Sequence, residues 1–196
     1  VDVSFDEKYR EAVADEPRRY FEQGQQYEEK GKDKKAVECY QKAIDLGYDD
    51  AILALAELYE KQGEEENMIR LLVKAGNQGN VAAMKYLYRY YEEREDAKKA
   101  AKWTEKAALS GDSDAMWLIG CYYRRGYGVE EDFEKAFEWF QKSAKEGNAF
   151  GMTLFGDCYR DGEGCEQDLS LAVEWYEKAA ALEDDWAMCR LGGALL

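Results

Sequence analysis

Carboxylates dominate the side chains of this sequence that could do chemistry, with 42 Asp and Glu residues against 27 Lys and Arg. Two facing carboxylates can act as a general acid and a general base. The chain contains no histidine, however, which excludes the Ser–His and Cys–His pairs that activate a nucleophile. Because carboxylates occur throughout the chain, no pair stands out. We therefore expect no catalytic residues, with a hydrolase that uses two carboxylates as a remote alternative.

The thiols and glycine-rich turns carry no recognisable cofactor motif. The cysteines are Cys39, Cys121, Cys158, Cys165 and Cys189. Their odd number and the lack of a CxxC pair favour free thiols, with Cys158 and Cys165 the pair most able to meet. Without CxxC or histidine, no zinc site is expected. The two Gly-x-Gly turns lack the Gly-Lys-Ser/Thr ending of a phosphate loop, so we predict no metal and no small-molecule cofactor.

The net charge of −15 limits the classes of partner. Nucleic acids and anionic membranes need a basic face, so both are disfavoured, whereas a basic protein is weakly favoured. No run approaches the roughly 20 apolar residues that span a bilayer, which predicts no membrane insertion. The pattern of thiols and the acidic start predict a cytoplasmic protein. The missing initiator Met indicates a processed or partial chain.

Two sets of positions repeat along the chain with the same step. The first set consists of tyrosines at intervals of 32, 32, 32 and 36 residues: Tyr27, Tyr59, Tyr91, Tyr123 and Tyr159. Eight residues before each lies a residue that is mostly small: Arg19, Ala51, Ala83, Ala115 and Gly151, continued by Ala187. The second set is followed three residues later by lysine: Cys39, Leu71, Trp103, Trp139 and Trp175. Such internal repetition is typical of solenoids.

Each repeat has the spacing of two helices. Small and apolar residues recur three or four apart in both halves, which places them on one face of a helix. Gly47, Gly79, Gly111 and Gly147 follow the second halves as expected for helix caps. In the later repeats the turn between helices ends in aspartate, at Asp132 and Asp168, which predicts an N-cap. The tryptophans of the repeated set are expected in the core, unlike Trp117 and Trp186.

Segments 115–147 and 151–183 resemble Sel1-like repeats, through A/G-x-x-x-I/F-G-x-x-Y, the Gly-x-Gly turn and K/L-A-x-x-W-Y/F-x-K. The resemblance covers about residues 17–196; the second and third units fit it least, because Leu71 replaces tryptophan and Tyr88 replaces a small residue. It implies an all-α, right-handed α/α superhelical solenoid of about five antiparallel helix pairs plus a terminal half-repeat. It also implies a role as an adaptor and no shared active site. Residues 1–16 are expected to form an N-terminal capping helix, beginning at the capping box Ser4–Glu7.

Analogy with tetratricopeptide units predicts which side chains line a concave groove. The predicted groove residues are Lys85, Arg89, Trp117, Arg124, Arg125, Phe150 and Arg160. The same positional rule also selects Thr153 and Asp157. The groove would then collect positive charge around an aromatic residue in an otherwise acidic chain. Two alternatives stay open: the basic residues pair with neighbouring acids, and Trp117 only packs.

Two functions follow from these expectations. The first is a non-catalytic scaffold or adaptor that binds a partner protein or peptide in the groove. The alternative is a stoichiometric inhibitor or immunity protein that blocks a basic effector through the acidic surface, where charge would speed association. Binding-defective substitutions would fall in the groove for an adaptor and on an acidic patch for an inhibitor.

Overall fold

The computed structural model describes residues 15–194, and within them the chain forms eleven α-helices and no strand. The helices are α1 Glu16–Glu29, α2 Asp33–Asp45, α3 Asp50–Lys61, α4 Glu65–Asn77, α5 Val81–Glu93, α6 Ala97–Leu109, α7 Ser113–Arg125, α8 Phe133–Lys145, α9 Ala149–Asp161, α10 Leu169–Ala180 and α11 Asp185–Ala194. The all-α fold of the α/α solenoid class is confirmed. The capping helix expected over 1–16 lies outside the described residues, apart from Asp15 and Glu16.

Odd-numbered helices are the first helices of the repeats and even-numbered helices are the second. Within a repeat the two run antiparallel: Lys135 at the start of α8 lies over the ring of Tyr123 near the end of α7, while Phe140 lies against Gly120. Along α7 and α8 the contacts therefore run in opposite directions. The same arrangement recurs in α1 and α2, where Lys35 lies over Tyr27 and Tyr40 contacts Gly24.

The helices begin and end where the sequence predicts. Pro17 lies in the first turn of α1. Asp132 and Asp168 accept hydrogen bonds from the backbone N–H groups of Lys135 and Leu171, as N-caps do. The four predicted cap glycines all adopt positive φ, between 83° and 98°.

The Gly-x-Gly turns pack against the preceding repeat. A Cβ on Gly128 would lie 2.0 Å from the carbonyl oxygen of Ala97, and one on Gly164 would lie 2.2 Å from that of Phe133. Both glycines also have positive φ, 71° and 72°. Only glycine satisfies the backbone conformation and the close approach together, which explains why the second glycine of each turn recurs.

The chain divides into two compact units, residues 1–83 and 84–196, and the boundary falls inside α5. In the first unit α2 and α3 form the core: Ala36, Tyr40, Ala43, Ala51, Leu55 and Leu58. In the second unit one cluster joins α8 and α9: Ala136, Phe140, Ala144, Leu154, Phe155 and Cys158. Another joins α10 and α11: Ala172, Tyr176, Ala179 and Ala187.

The repeated tryptophans are core residues, as predicted. Trp103 and Trp139 are 5% and 7% exposed, and Trp175 packs edge-on against Phe155 with the ring centroids 5.0 Å apart. The lysine three residues later places its ammonium over the indole, 4.0 Å from the ring centroid at Trp139 and at Trp175. This cation–π contact accounts for the lysine in the three repeats that have a tryptophan.

Candidate functional site

All seven predicted groove residues belong to three first helices of the second unit. Lys85 and Arg89 lie on α5, Trp117, Arg124 and Arg125 on α7, and Phe150 and Arg160 on α9. Spacings of four and seven residues place Lys85 with Arg89, and Trp117 with Arg124, on one side of each helix. We call these seven residues the first-helix surface.

An aromatic pair joins α7 to α9. The rings of Trp117 and Phe150 meet edge-on, with centroids 4.8 Å apart and an interplanar angle of 79°. Both residues are half-buried and pack against the core cluster of α8 and α9. Trp117 therefore packs against the core and is also partly exposed to solvent.

Lys85 is held by the start of α7. Its Nζ donates to Asp112 Oδ2 at 2.9 Å and to Asp114 Oδ2 at 3.4 Å. Desolvation is the largest single effect on the pKa of Lys85 and lowers it, but the hydrogen bond to Asp112 and the nearby negative charges of Asp112 and Asp114 together raise the pKa, so the ammonium stays charged. Asp112 also caps α7 by accepting from the N–H of Ala115. The charge of Lys85 is thus neutralised by two carboxylates of the same unit.

Arg160 is also paired, in a network around a buried carboxylate. Asp157 is 5% exposed and receives Arg160 Nη1 at 2.8 Å, Arg190 Nε at 3.0 Å and the hydroxyl of Tyr176 at 2.7 Å. Arg160 also donates to Asp161, and that hydrogen bond raises the pKa of Arg160 and lowers that of Asp161. Two carboxylates therefore balance two guanidinium groups at this end of the first-helix surface.

The remaining three cations differ in their surroundings. Arg124 lies over the ring of Phe140, and its Nη1 is 4.0 Å from Glu163 Oε2, a long ion pair. Arg89 and Arg125 are exposed, and neither forms an ion pair with any described residue. Of the basic residues expected to gather here, Lys85, Arg124 and Arg160 are thus paired with acids. Arg89 and Arg125 keep uncompensated charge.

The positional rule is wrong about Thr153 and Asp157. They are 2% and 5% exposed, because α11 covers them: Thr153 donates to Asp184 at 2.7 Å and Arg190 binds Asp157. The repeat position of Thr153 gives the reason, because residues at this position contact the next first helix. Lys85, Trp117 and Thr153 occupy one repeat position, and each contacts the start of the next first helix, through Asp112, Phe150 and Asp184 respectively.

The cysteines and carboxylates of the described region form no recognisable reactive centre. All five cysteines are free thiols, and Cys165 contacts the carbonyl oxygen of Cys158 at 3.6 Å. Burial raises the pKa of Cys158 to about 12, which keeps it protonated near neutral pH. Among residues 15–194, no three His, Cys, Asp or Glu side chains are grouped as a metal site would require.

None of the described helices combines the length and the apolar character that crossing a bilayer requires.

Comparison with known proteins identifies the repeats. The Sel1 repeat profile matches residues 14–48, 78–112, 113–148 and 149–184. The third unit thus matches despite Tyr88, whereas residues 49–77, which include Leu71, lie outside the matches. The comparison with curated proteins found no sequence match.

Solved structures share the fold. A protective antigen of uropathogenic Escherichia coli strains that displays an SLR fold has a TM-score of 0.71 and 28% identity over 93% of this chain, which spans 42% of the antigen. A Sel1 repeat protein from Oxalobacter formigenes has a TM-score of 0.67 and 28% identity, covering 90% of this chain and 75% of that one. An immunity protein from Pseudomonas aeruginosa has a TM-score of 0.52 and 20% identity over 79% of this chain and 62% of its own.

Proposed function

Because the chain belongs to the Sel1 repeat family, whose repeats mediate protein–protein interactions, we propose that it is a non-catalytic scaffold that binds a partner protein or peptide on the first-helix surface. The observation that carries this proposal is the partly exposed Trp117–Phe150 pair on α7 and α9, together with two exposed arginines, on α5 and α7, that form no ion pair with a described acid. Partly exposed aromatic residues and arginines are the side chains that most often dominate binding energy in interfaces.

The partner segment carries apolar side chains and carboxylates. An apolar side chain packs on Trp117 and Phe150, while carboxylates bind Arg89 on α5 and Arg125 on α7. An arginine holds a carboxylate through two parallel hydrogen bonds, so a guanidinium without an internal partner is better suited to this than one already engaged. Lys85 and Arg160 stay bound to Asp112 and Asp157 and contribute shape rather than charge.

The test starts from extended peptides selected for binding to the full chain, whose dissociation constants are then measured by calorimetry. Arg125→Gln is expected to weaken binding by about 1–2 kcal/mol with an unchanged melting temperature, because Arg125 is exposed and unpaired. Trp117→Ala is expected to weaken binding too, but also to lower stability, since Trp117 packs on the core. Glu134→Ala on the exposed side of α8 is the matched control. Peptides that bind all variants equally would exclude the first-helix surface.

The alternative function, a stoichiometric inhibitor of a basic effector, is favoured by one feature of the first unit. An open depression of about 450 Å³ is lined by Gln25, Glu28, Glu29, Tyr40, Ala54 and Glu57. Lys61 already binds Glu28, so Glu29 and Glu57 are the carboxylates there that would attract a basic side chain. The likeness to the immunity protein is one of fold at 20% identity and does not decide between the functions. A partner that loses affinity on Glu134→Ala, on the exposed side of α8, but not on Arg125→Gln would favour the inhibitor.

A further inference from the structure

Two cysteines lie at one turn of the fifth repeat. Cys158 is in the last turn of α9, and Cys165 is in the Gly-x-Gly turn seven residues later. The fourth repeat, which has the same turn, holds Tyr122 and Val129 at these two positions. Both thiols of the fifth repeat are free. Of the two repeats with a Gly-x-Gly turn, the fifth is therefore the one with a pair of cysteines there.

Backbone hydrogen bonds fold this turn back onto the end of α9. The N–H of Glu163 donates to the carbonyl oxygen of Cys158 at 3.1 Å, and the N–H of Asp168 donates to that of Tyr159 at 2.9 Å. These two bonds bring the far end of the turn beside the residues at which it starts. The Sγ of Cys165 consequently lies 3.6 Å from the carbonyl oxygen of Cys158.

The two thiols share one apolar environment. Cys158 is 1% exposed and belongs to the core cluster of α8 and α9, and the half-buried Cys165 packs against the same cluster. Burial is the largest cause of the raised pKa of Cys158, and a negative charge on Cys165 would raise this pKa further. A disulfide requires two Cβ atoms about 4 Å apart. The contact of Cys165 with the backbone of Cys158 places the two side chains next to each other, as such a bond needs.

Cys121 on α7 is the other thiol that packs against this cluster, and it too is half-buried. Burial raises the pKa of Cys121, and the charges of Arg124 and Arg125 lower it, with no contribution from another thiol. The charge on Cys165, in contrast, does act on Cys158. Cys165, and not Cys121, is therefore the partner that the fold offers to Cys158.

We propose that Cys158 and Cys165 are a redox-active pair, which a small-molecule disulfide such as oxidised glutathione converts to an intramolecular disulfide that ties the turn to α9. The thiolate of the half-exposed Cys165 attacks one sulfur of the oxidant, which forms a mixed disulfide and releases one small thiolate. The thiolate of Cys158 then attacks the Cys165 sulfur, and the second small thiolate leaves. Two protein thiols are oxidised, and the small disulfide is reduced to two thiols that take up their two protons. Neither cysteine belongs to the first-helix surface, so the proposal does not rest on the proposed function.

The test equilibrates the reduced full chain with mixtures of oxidised and reduced glutathione at about pH 8, where more of each thiol is ionised than at neutral pH. The reaction is stopped with acid, and the remaining free thiols are alkylated. Trypsin cleaves after Arg160, so Cys158 and Cys165 fall on separate peptides, 146–160 and 161–178, which only a disulfide holds together. Mass spectrometry is expected to find these two peptides joined. A Cys165 that keeps glutathione, or a Cys158 joined to a different cysteine, would overturn the proposal.

Variants and a denaturant show whether the fold creates the pair. Cys165→Val introduces the residue that the fourth repeat has at this position, so it is expected to keep the helical circular dichroism signal and to lose the joined peptides. Cys121→Ser is the matched control and is expected to form them as the parent chain does. The folded chain is expected to form the bond at an oxidant concentration at least about 10-fold lower than the chain unfolded in guanidinium chloride, because the fold raises the effective concentration of one thiol at the other. Equal or weaker formation in the folded chain would mean that the fold keeps the thiols apart, and would refute the pair.

Discussion

Phe140 lies so close to Gly120 that a Cβ there would come within 2.6 Å of its ring, and Tyr40 and Tyr176 approach Gly24 and Gly156 equally closely. The third repeat reverses the sizes: Tyr88 stands at the glycine position and Thr104 at the ring position, and both are buried. The large side chain at this contact thus comes from the first helix instead of the second. Close packing explains why, since interiors tolerate exchange of volume better than its addition.

Gly120→Ala is expected to destabilise the protein by about 1–3 kcal/mol, because the ring of Phe140 must move to admit the methyl group. Gly192→Ala is the matched control at the same repeat position, where the space is open. Alanine favours a helix over glycine by up to about 1 kcal/mol, so the control is expected to stabilise slightly. Chemical denaturation measures both. Equal effects would mean that the ring is not in contact.

Pairs of helices are joined by hydrogen bonds that tyrosine hydroxyls donate to carboxylates. Tyr40 on α2 donates to Glu28 on α1, Tyr122 on α7 to Glu92 on α5, and Tyr176 on α10 to Asp157 on α9. Burial, followed by the hydrogen bond to the carboxylate, raises the pKa of each of these phenols. The neutral phenol is therefore the form that the folded state favours.

An alkaline titration is expected to unfold the chain. A phenol with a raised pKa in the folded state stabilises the fold fully below its unfolded value near 10, and this contribution is lost as the pH rises above that value. Tyrosinate absorbance and helical circular dichroism, followed together, should show a late group of phenols that ionises only as the helices melt. In Tyr122→Phe this group should shrink by one. Ionisation of every tyrosine before any loss of helix would contradict the contacts.

Helices, caps and turns were predictable from the sequence, because they depend on local signals such as Asp132 and on spacing that repeats five times. Most of the charge pairing was not. Arg190 lies in the incomplete sixth copy, so no repeat pattern pointed to its ion pair with Asp157. Lys85 binds Asp112, which also caps α7, and the sequence pattern at Asp112 predicts only the cap. The position of a charged residue in the repeat predicted the face of the helix on which it lies, but not the acid with which it forms an ion pair.

At the scale of the whole molecule, the net charge of −15 opposes compactness. Several ion pairs lie at the surface, such as Arg70 with Glu66, whose side chains are 72% and 87% exposed. Such pairs contribute little to stability, so screening them costs little. Added salt should therefore act mainly by reducing the general repulsion between carboxylates.

Raising sodium chloride from low to near-physiological concentration is expected to stabilise the fold by about 1 kcal/mol, or ~2–4 °C in melting temperature for a chain of this size. Calorimetry at neutral pH measures the shift. A variant with Glu134→Gln and Glu138→Gln, two exposed carboxylates of α8, should gain less from salt than the parent chain. A melting temperature that falls with salt would mean that the ion pairs outweigh the repulsion.

The exchange of sizes at Tyr88 and Thr104 restricts how this gene could be rearranged. Joining the first helix of the third repeat to the second helix of the fourth would set Tyr88 against Phe140, two rings in space for one. The opposite junction would set Gly120 against Thr104 and leave a void. Duplications and deletions that keep whole helix pairs avoid both faults, so viable breakpoints fall between repeats and not within them.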